Sequence, residues 1–128
     1  MKTIKQIIVF KKATPHQLYE AIIDPKIHSK FSSSKATNEQ KVGGKFTAYD
    51  DYCWGTNLEL IKDKKIVQEW TSSDLPENTM TKVTYEFKKE KEGTQIIFTQ
   101  ENVPDKNVKS LEKGWEDFYW TPLKEMFD

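Results

Sequence analysis

An alternation of apolar and polar side chains is clearest at residues 81–88, which read Thr81-Lys82-Val83-Thr84-Tyr85-Glu86-Phe87-Lys88. Successive side chains of an extended strand point to opposite faces, so Val83, Tyr85 and Phe87 share one face and the residues between them share the other. This pattern is typical of an antiparallel strand with one buried and one solvated face. It predicts that the fold is built around an antiparallel sheet.

Shorter runs of the same kind surround this strand and are separated by turn residues. Val42-Gly43-Gly44 predicts a sharp turn or bulge. The segment Lys62-Asp63-Lys64-Lys65 predicts a hairpin loop, with Asp63 as its turn residue because a short side chain can bond the backbone ahead of it. Glu90-Lys91-Glu92-Gly93 predicts another turn. Further strands are therefore expected at residues 3–12, 45–49, 56–61, 66–72 and 94–101.

Helical patterns occur near the beginning and at the end of the sequence. Thr14-Pro15-His16-Gln17 predicts a helix start, in which the threonine caps, the proline occupies the first position and the glutamine completes a capping box. Asp24-Pro25 ends that helix, and a second short helix is expected over about 25–31. The segment 105–127 repeats apolar residues every three to four positions and predicts one long helix.

These elements predict an α+β fold with one domain over residues 1–128. A curved antiparallel sheet wraps around the long C-terminal helix, and two short helices follow the first strand, which joins the edge of the sheet. Within the last helix, Gly114 permits a close approach to another surface. Pro122 frees the carbonyl of Phe118 from its intrahelical bond and is expected to bend the helix.

Composition excludes several classes of protein. The chain has 20 basic and 20 acidic side chains, whereas non-specific binding to nucleic acid needs a concentrated basic surface. No apolar run approaches the ~18–20 residues of a membrane-spanning helix. The N-terminus lacks an apolar stretch of signal-peptide length. The single cysteine, Cys53, cannot form an internal disulfide, which agrees with a reducing compartment. A cytoplasmic protein is expected.

Several motifs, in this order along the chain, resemble the START-like, helix-grip superfamily. They are Val42-Gly43-Gly44-Lys45-Phe46, Trp70 at the end of a strand, and Gly114-Trp115 with Tyr119, Leu123 and Lys124 in the last helix. The closest resemblance is to the branch named after the activator of the 90-kDa heat-shock chaperone's ATPase, and it extends over nearly the entire chain. The resemblance implies that the long helix packs over the sheet, often with an apolar cavity between them.

A cavity of this kind would bind a small hydrophobic or amphipathic ligand. Its candidate lining combines aromatic residues and one amide: Trp54, Trp70, Tyr85, Phe87, Phe98, Gln100, Trp115 and Tyr119. The alternative is that the aromatic residues simply fill the core. Gln100 shares strand parity with Ile96 and Phe98, so it is expected to point toward the helix, where Tyr119, Trp115 or a ligand would satisfy its amide. A solvated position at the end of the strand is the alternative.

Two other functions remain open at this point. One is a protein-interaction module assisting the heat-shock chaperone, with the basic hairpin tips at Lys62, Lys64 and Lys65 and at Lys88, Lys89 and Lys91 facing an acidic partner or merely solubilising the loops. The other is a small cyclase or hydrolase-like enzyme, although no constellation of spaced acids and bases supports it.

The sequence predicts neither a metal site nor a cofactor. His16 and His28 occupy polar positions of the helical region and have no metal-ligand spacing with Cys53. Asp50-Asp51 is expected to be a solvated turn. A monomer or weak dimer is expected.

Overall fold

A seven-stranded antiparallel sheet and a C-terminal helix dominate the computed structural model, which describes residues 1–127. The strands are β1 (Lys2–Phe10), β2 (Thr37–Asn38), β3 (Lys45–Ala48), β4 (Cys53–Ile61), β5 (Lys65–Ser72), β6 (Thr81–Lys89) and β7 (Thr94–Val103). Their order in the sheet is β1-β7-β6-β5-β4-β3-β2. The predicted α+β helix-grip architecture is confirmed, including the first strand at the edge of the sheet.

Two short helices, α1 (Pro15–Ile23) and α2 (Pro25–Ser32), connect β1 to β2. Thr14 caps α1 and forms the predicted capping box with Gln17. Asp24 caps α2 by accepting a bond from the Lys26 N–H at 2.9 Å. Proline occupies the start of both helices, where its missing N–H costs nothing.

The C-terminal helix runs continuously over 105–127 but changes its winding. It comprises a 3₁₀ turn (Asp105–Asn107), α3 (Val108–Trp115), a π-helical turn (Glu116–Trp120) and α4 (Thr121–Phe127). Pro122 donates no bond to the carbonyl of Phe118, and this carbonyl instead accepts one from the Tyr49 hydroxyl. The predicted loss of an intrahelical bond at Pro122 therefore coincides with a π turn and a tether to the sheet.

The close approach that Gly114 permits does not occur. A Cβ placed on Gly114 would meet no atom within 4 Å, so the glycine faces open space. Close approach occurs instead at Gly55, where a Cβ would lie 1.8 Å from the carbonyl oxygen of Glu69.

The core lies between the inner face of the sheet and the helices. Val83, Tyr85 and Phe87 are all buried, as their alternation predicts, and Ile96 and Phe98 face the same side from β7. Within residues 1–127, no helix combines the length and the apolarity needed to cross a bilayer.

Candidate functional site

A cavity of about 420 Å³ lies between the C-terminal helix and the end of the sheet formed by β4 and β5. Its walls come from the β3–β4 loop, the beginning of β4, the end of β5 with the loop that follows it, and one face of the helix. The lining residues are Tyr49, Tyr52, Cys53, Trp70, Asp74, Ser110, Leu111, Gly114, Trp115, Phe118 and Tyr119. Six of these eleven residues are aromatic, so the surface offered to a ligand is mainly apolar.

Three of the predicted ligand-binding residues, Trp70, Trp115 and Tyr119, line this cavity. Their rings form a continuous wall. The centroids of Trp70 and Trp115 are 5.3 Å apart, and those of Trp115 and Tyr119 are 4.5 Å apart. Gly114 precedes Trp115 on the helix and leaves the space beside this wall unfilled, because it has no side chain.

Gln100 is bonded to residues of the cavity wall from within the core. Its side chain is fully buried, and its Oε1 accepts a hydrogen bond from the Trp115 indole N–H at 2.8 Å. Its Nε2 donates to Thr81 Oγ1 at 3.0 Å, and the Thr81 hydroxyl donates to the carbonyl of Trp70 at 2.6 Å. Gln100 points toward the helix as expected, and Trp115 and Thr81 satisfy its amide. It positions two residues of the wall and does not itself line the cavity.

The predicted residues Tyr85, Phe87 and Phe98 also lie outside this cavity. They belong to the packed core, as the filled-core alternative proposed, because neighbouring rings already occupy the space around them. The centroids of Tyr85 and Phe98 are 5.3 Å apart, and those of Phe98 and Trp115 are 4.4 Å apart. Tyr85 borders a separate void of only about 10 Å³ next to His28.

The placement of Trp54 in the cavity is wrong. Cys53, Gly55 and Asn57 are the buried residues of β4, so Trp54 points to the opposite face of the sheet. There its side chain is 41% exposed and borders a shallow depression next to Met80.

Sequence reasoning missed the loop that closes the cavity. Tyr49, Asp50 and Asp51 all have left-handed backbone, with φ of 53°, 55° and 75°. The expected solvated turn at Asp50 and Asp51 is therefore present, but it also directs the side chains of Tyr49 and Tyr52 over the cavity. The Tyr49 hydroxyl donates to the carbonyl of Phe118, and the Tyr52 hydroxyl donates to the carboxylate of Asp74. No local sequence signal identifies three consecutive left-handed residues without glycine.

The thiol and the tyrosine hydroxyls of the cavity are held in their neutral forms by burial. Desolvation raises the pKa of the Cys53 thiol to about 12, and it raises the pKa of Tyr52 to about 12. Burial also raises the pKa of Tyr49 and of Tyr119 above the ordinary tyrosine value. The thiolate is the nucleophilic form of cysteine, so Cys53 acts here as a small apolar residue. Among residues 1–127, no group of three or more histidine, cysteine, aspartate or glutamate side chains is arranged to hold a metal ion.

His28 occupies a buried position, which differs from the polar position expected for it. Its Nδ1 lies 3.1 Å from the carbonyl oxygen of Ile22, and its ring packs on Phe31 and Tyr119. Desolvation lowers its pKa to about 4, although the Ile22 carbonyl acts in the opposite direction. His28 is therefore a neutral core residue at physiological pH.

The β4–β5 hairpin tip carries the basic residues considered for a protein partner. Lys62 and Lys64 are exposed. Lys65 pairs with Glu59 at 3.1 Å, and Asp63 contacts His16 at 2.9 Å. Lys62 and Lys64 are therefore the lysines of this tip whose ammonium groups form no ion pair within residues 1–127.

A comparison with known protein families identifies one match that covers nearly the whole chain. Residues 12–128 match the family described as "Activator of Hsp90 ATPase homolog 1-like protein". The sequence is 25% identical over 114 residues to the human "Activator of 90 kDa heat shock protein ATPase homolog 1", which covers 89% of this chain and 34% of that protein. It is 28% identical over 127 residues to a Dictyostelium discoideum "Activator of 90 kDa heat shock protein ATPase homolog", which corresponds to 98% of this chain and 33% of that protein. The chain thus spans about a third of the length of these relatives.

Solved structures of similar length share the fold. One is PFC0360w, described as an HSP90 activator from Plasmodium falciparum, with 27% identity and a TM-score of 0.89 over 98% of this chain and 96% of that one. Another is the Aha1 dimer of Colwellia psychrerythraea, with 20% identity and a TM-score of 0.84 over 99% and 96% of the two chains.

Proposed function

The chain belongs to the family of Activator of Hsp90 ATPase homolog 1-like proteins, and we propose that it is a non-enzymatic binder of a small apolar or amphipathic molecule. The observation that carries this proposal is the aromatic cavity of about 420 Å³ beneath the C-terminal helix. Ligand pockets are typically lined by apolar and aromatic side chains with a few polar groups that orient the ligand. The cavity has this composition, with Asp74, Ser110 and the tyrosine hydroxyls near its walls.

The binding free energy would come from removing apolar surface from water, at about 25 cal/mol per Å² before ordering costs are subtracted. The walls are already held in place by the bonds of Trp115 to Gln100 and of Tyr49 to Phe118. Little of that free energy is then spent on ordering side chains, which favours useful affinity for a small molecule.

Gly114 allows a direct test, because it lines the cavity and a Cβ added there would meet no atom within 4 Å. We expect Gly114→Leu to weaken binding of the neutral fluorescent probe N-phenyl-1-naphthylamine at least tenfold, since the leucine occupies part of the binding volume. Lys109→Leu is the matched control, because Lys109 is exposed on the same helix and outside the cavity lining. Equal binding by both variants and the parent protein would show that the probe binds elsewhere and would contradict the proposal.

Native mass spectrometry of protein purified from its own cells tests the natural ligand. A co-purifying compound that is retained by the parent protein and by Lys109→Leu, and lost from Gly114→Leu, would identify the ligand's chemical class.

A second candidate function is assistance to a 90-kDa heat-shock chaperone. The observation that favours it is the match to PFC0360w, which covers 98% of this chain and 96% of a protein described as an HSP90 activator. A role of this kind would use the outer surface, and Lys62 and Lys64 provide exposed positive charge at one hairpin tip. Such charges chiefly raise the association rate with an acidic partner.

The two candidates respond differently to two sets of variants. If the chain stimulates the chaperone's ATPase through this hairpin, Lys62→Glu with Lys64→Glu should reduce the stimulation severalfold while Gly114→Leu leaves it unchanged. Lys2→Glu with Lys5→Glu controls for net charge, because these exposed lysines lie on β1 at the far edge of the sheet. Loss of stimulation in Gly114→Leu alone would reject the hairpin and assign the effect to the cavity.

A further inference from the structure

The lining of the cavity is asymmetric in charge. Asp74 is the acidic residue among the eleven lining residues, and none of the eleven is basic. The nearest basic residue along the helix from Gly114, Lys113, is exposed and directs its ammonium to Asp117 at 2.9 Å. A charged group of a bound ligand therefore meets one carboxylate and no ammonium group among the lining residues.

Three aromatic residues of the same lining, Tyr49, Phe118 and Tyr119, have rings that are inclined to one another. The ring centroid of Tyr49 lies 5.7 Å from that of Phe118, with an angle of 67° between the ring planes. It lies 6.0 Å from the centroid of Tyr119, with an angle of 61°. Because these rings are inclined to one another, some present a face and others an edge to the cavity that they line. The electron-rich face of an aromatic ring attracts a cation, and several rings around one space are the usual receptor for a quaternary ammonium group.

Phe118 shows that this arrangement is open to a ligand. Its side chain is 58% exposed although it contacts Tyr49, and it lines the cavity. Tyr52, which also lines the cavity, is 37% exposed and donates a hydrogen bond from its hydroxyl to the Asp74 carboxylate. The exposed part of the lining, here called the mouth, thus contains aromatic rings and the carboxylate that Tyr52 orients, while Trp70 and Trp115 supply a buried apolar wall.

We infer that the cavity selects an organic cation, with an ammonium group held at the mouth by Asp74 and the rings of Tyr49 and Phe118, and an apolar group against Trp115. This inference rests on the proposed ligand-binding function and specifies the ligand class. An amphipathic amine or quaternary ammonium compound satisfies both parts of the site. An aliphatic carboxylate does not, because its charge would be desolvated next to Asp74 with no basic partner in the lining.

Three probes of nearly equal shape separate charge from size. Benzyltrimethylammonium, neopentylbenzene and benzylsulfonate share a benzyl group and carry a tetrahedral head that is positive, neutral or negative. Binding is followed by NMR through the indole N–H signals of the tryptophans, of which Trp70 and Trp115 line the cavity. We expect the cation to bind about tenfold more tightly than its neutral isostere, as cation–π and carboxylate attraction together allow, and the sulfonate to bind weakest.

Asp74→Asn tests the role of the carboxylate while retaining an oxygen that can accept from Tyr52. We expect it to weaken binding of the cation about threefold and to leave the neutral isostere unchanged. Asp51→Asn is the matched control, because Asp51 is exposed in the neighbouring loop but does not line the cavity.

The outcomes distinguish this inference from the proposed function. A neutral isostere that binds as tightly as the cation, or a preference for the cation that Asp74→Asn leaves undiminished, overturns the inference while a cavity that binds N-phenyl-1-naphthylamine still stands. Failure of all three probes together with N-phenyl-1-naphthylamine overturns both.

Discussion

Acid should destabilise this protein through His28. The side chain is 7% exposed and packs against Phe31 and Tyr119, and its Nδ1 faces the carbonyl of Ile22. Protonation would place a positive charge on Nε2, for which the described residues offer no hydrogen-bond partner. The charged form is therefore poorly accommodated in the folded state but is freely solvated after unfolding.

The sign and size of the effect follow from the two pKa values. The pKa of His28 is about 4 in the folded protein and about 6.5 for an unfolded histidine. Between these values the unfolded state binds more protons, so stability is fully present above about pH 6.5 and is lost as the pH falls toward 4. Proton linkage with these values gives a loss of about 2–3 kcal/mol between pH 7.5 and pH 4.5, which is a large part of a typical domain stability of ~5–15 kcal/mol.

Urea denaturation at the two pH values measures this loss, and His28→Gln separates it from the titration of carboxylates. Glutamine remains uncharged and can still donate to the Ile22 carbonyl, so the fall in unfolding free energy should be about 2–3 kcal/mol smaller in this variant than in the parent protein. His16→Gln is the matched control, because His16 is exposed and contacts Asp63 at the surface. An equal pH dependence in the parent protein and His28→Gln would refute the assignment of a neutral, buried imidazole.

Three further predictions concern stability at neutral pH, each measured by the urea midpoint. Gln100→Leu removes the acceptor of the Trp115 indole N–H and should lower the free energy of unfolding by about 1–3 kcal/mol. Gln95→Leu, on the outer face of β7, is the control and should change stability little. Equal losses in the two variants would contradict a stabilising role for the buried hydrogen bonds of Gln100. Gly93→Ala should destabilise the protein, since φ is +82° and a Cβ would lie 1.9 Å from the Phe10 carbonyl oxygen. Gly114→Ala should stabilise it by up to about 1 kcal/mol through helix propensity, and a loss there would mean that the cavity is closed in solution.

The parts of the fold that the sequence predicts correctly are those fixed by local periodicity. In β6 and β7 each residue's face follows from its parity, so Val83, Tyr85, Phe98 and even the polar Gln100 are buried as expected. The start of α1 at Thr14 follows in the same way from local capping chemistry, and its end at Asp24-Pro25 follows from the steric effect of proline on the preceding residue. These predictions need no knowledge of which elements pack together.

The prediction for Trp54 was wrong because it relied on the hydrophobicity of tryptophan and not on the alternation of faces along β4. The buried residues of β4 are small or polar, and a Cβ on Gly55 would lie 2.9 Å from the ring of Phe46. The inner face therefore has no room at this point for a second row of large side chains, and the tryptophan lies outside. His28 is the converse case, because its burial depends on Tyr119, a residue 91 positions later that only the tertiary fold brings near.

The cavity itself depends on long-range hydrogen bonds that fix the distance between the C-terminal helix and the sheet. The Gln6 amide donates to the carbonyl of Glu112 at 3.1 Å and accepts from the indole of Trp120 at 2.8 Å. Between these two points, Gln100 holds Trp115. Moving the helix inward to fill the space beside Gly114 would break these buried or half-buried bonds, and each unsatisfied group would cost about 1–3 kcal/mol. The space therefore persists because the helix is bonded on both sides of a residue that has no side chain to fill it.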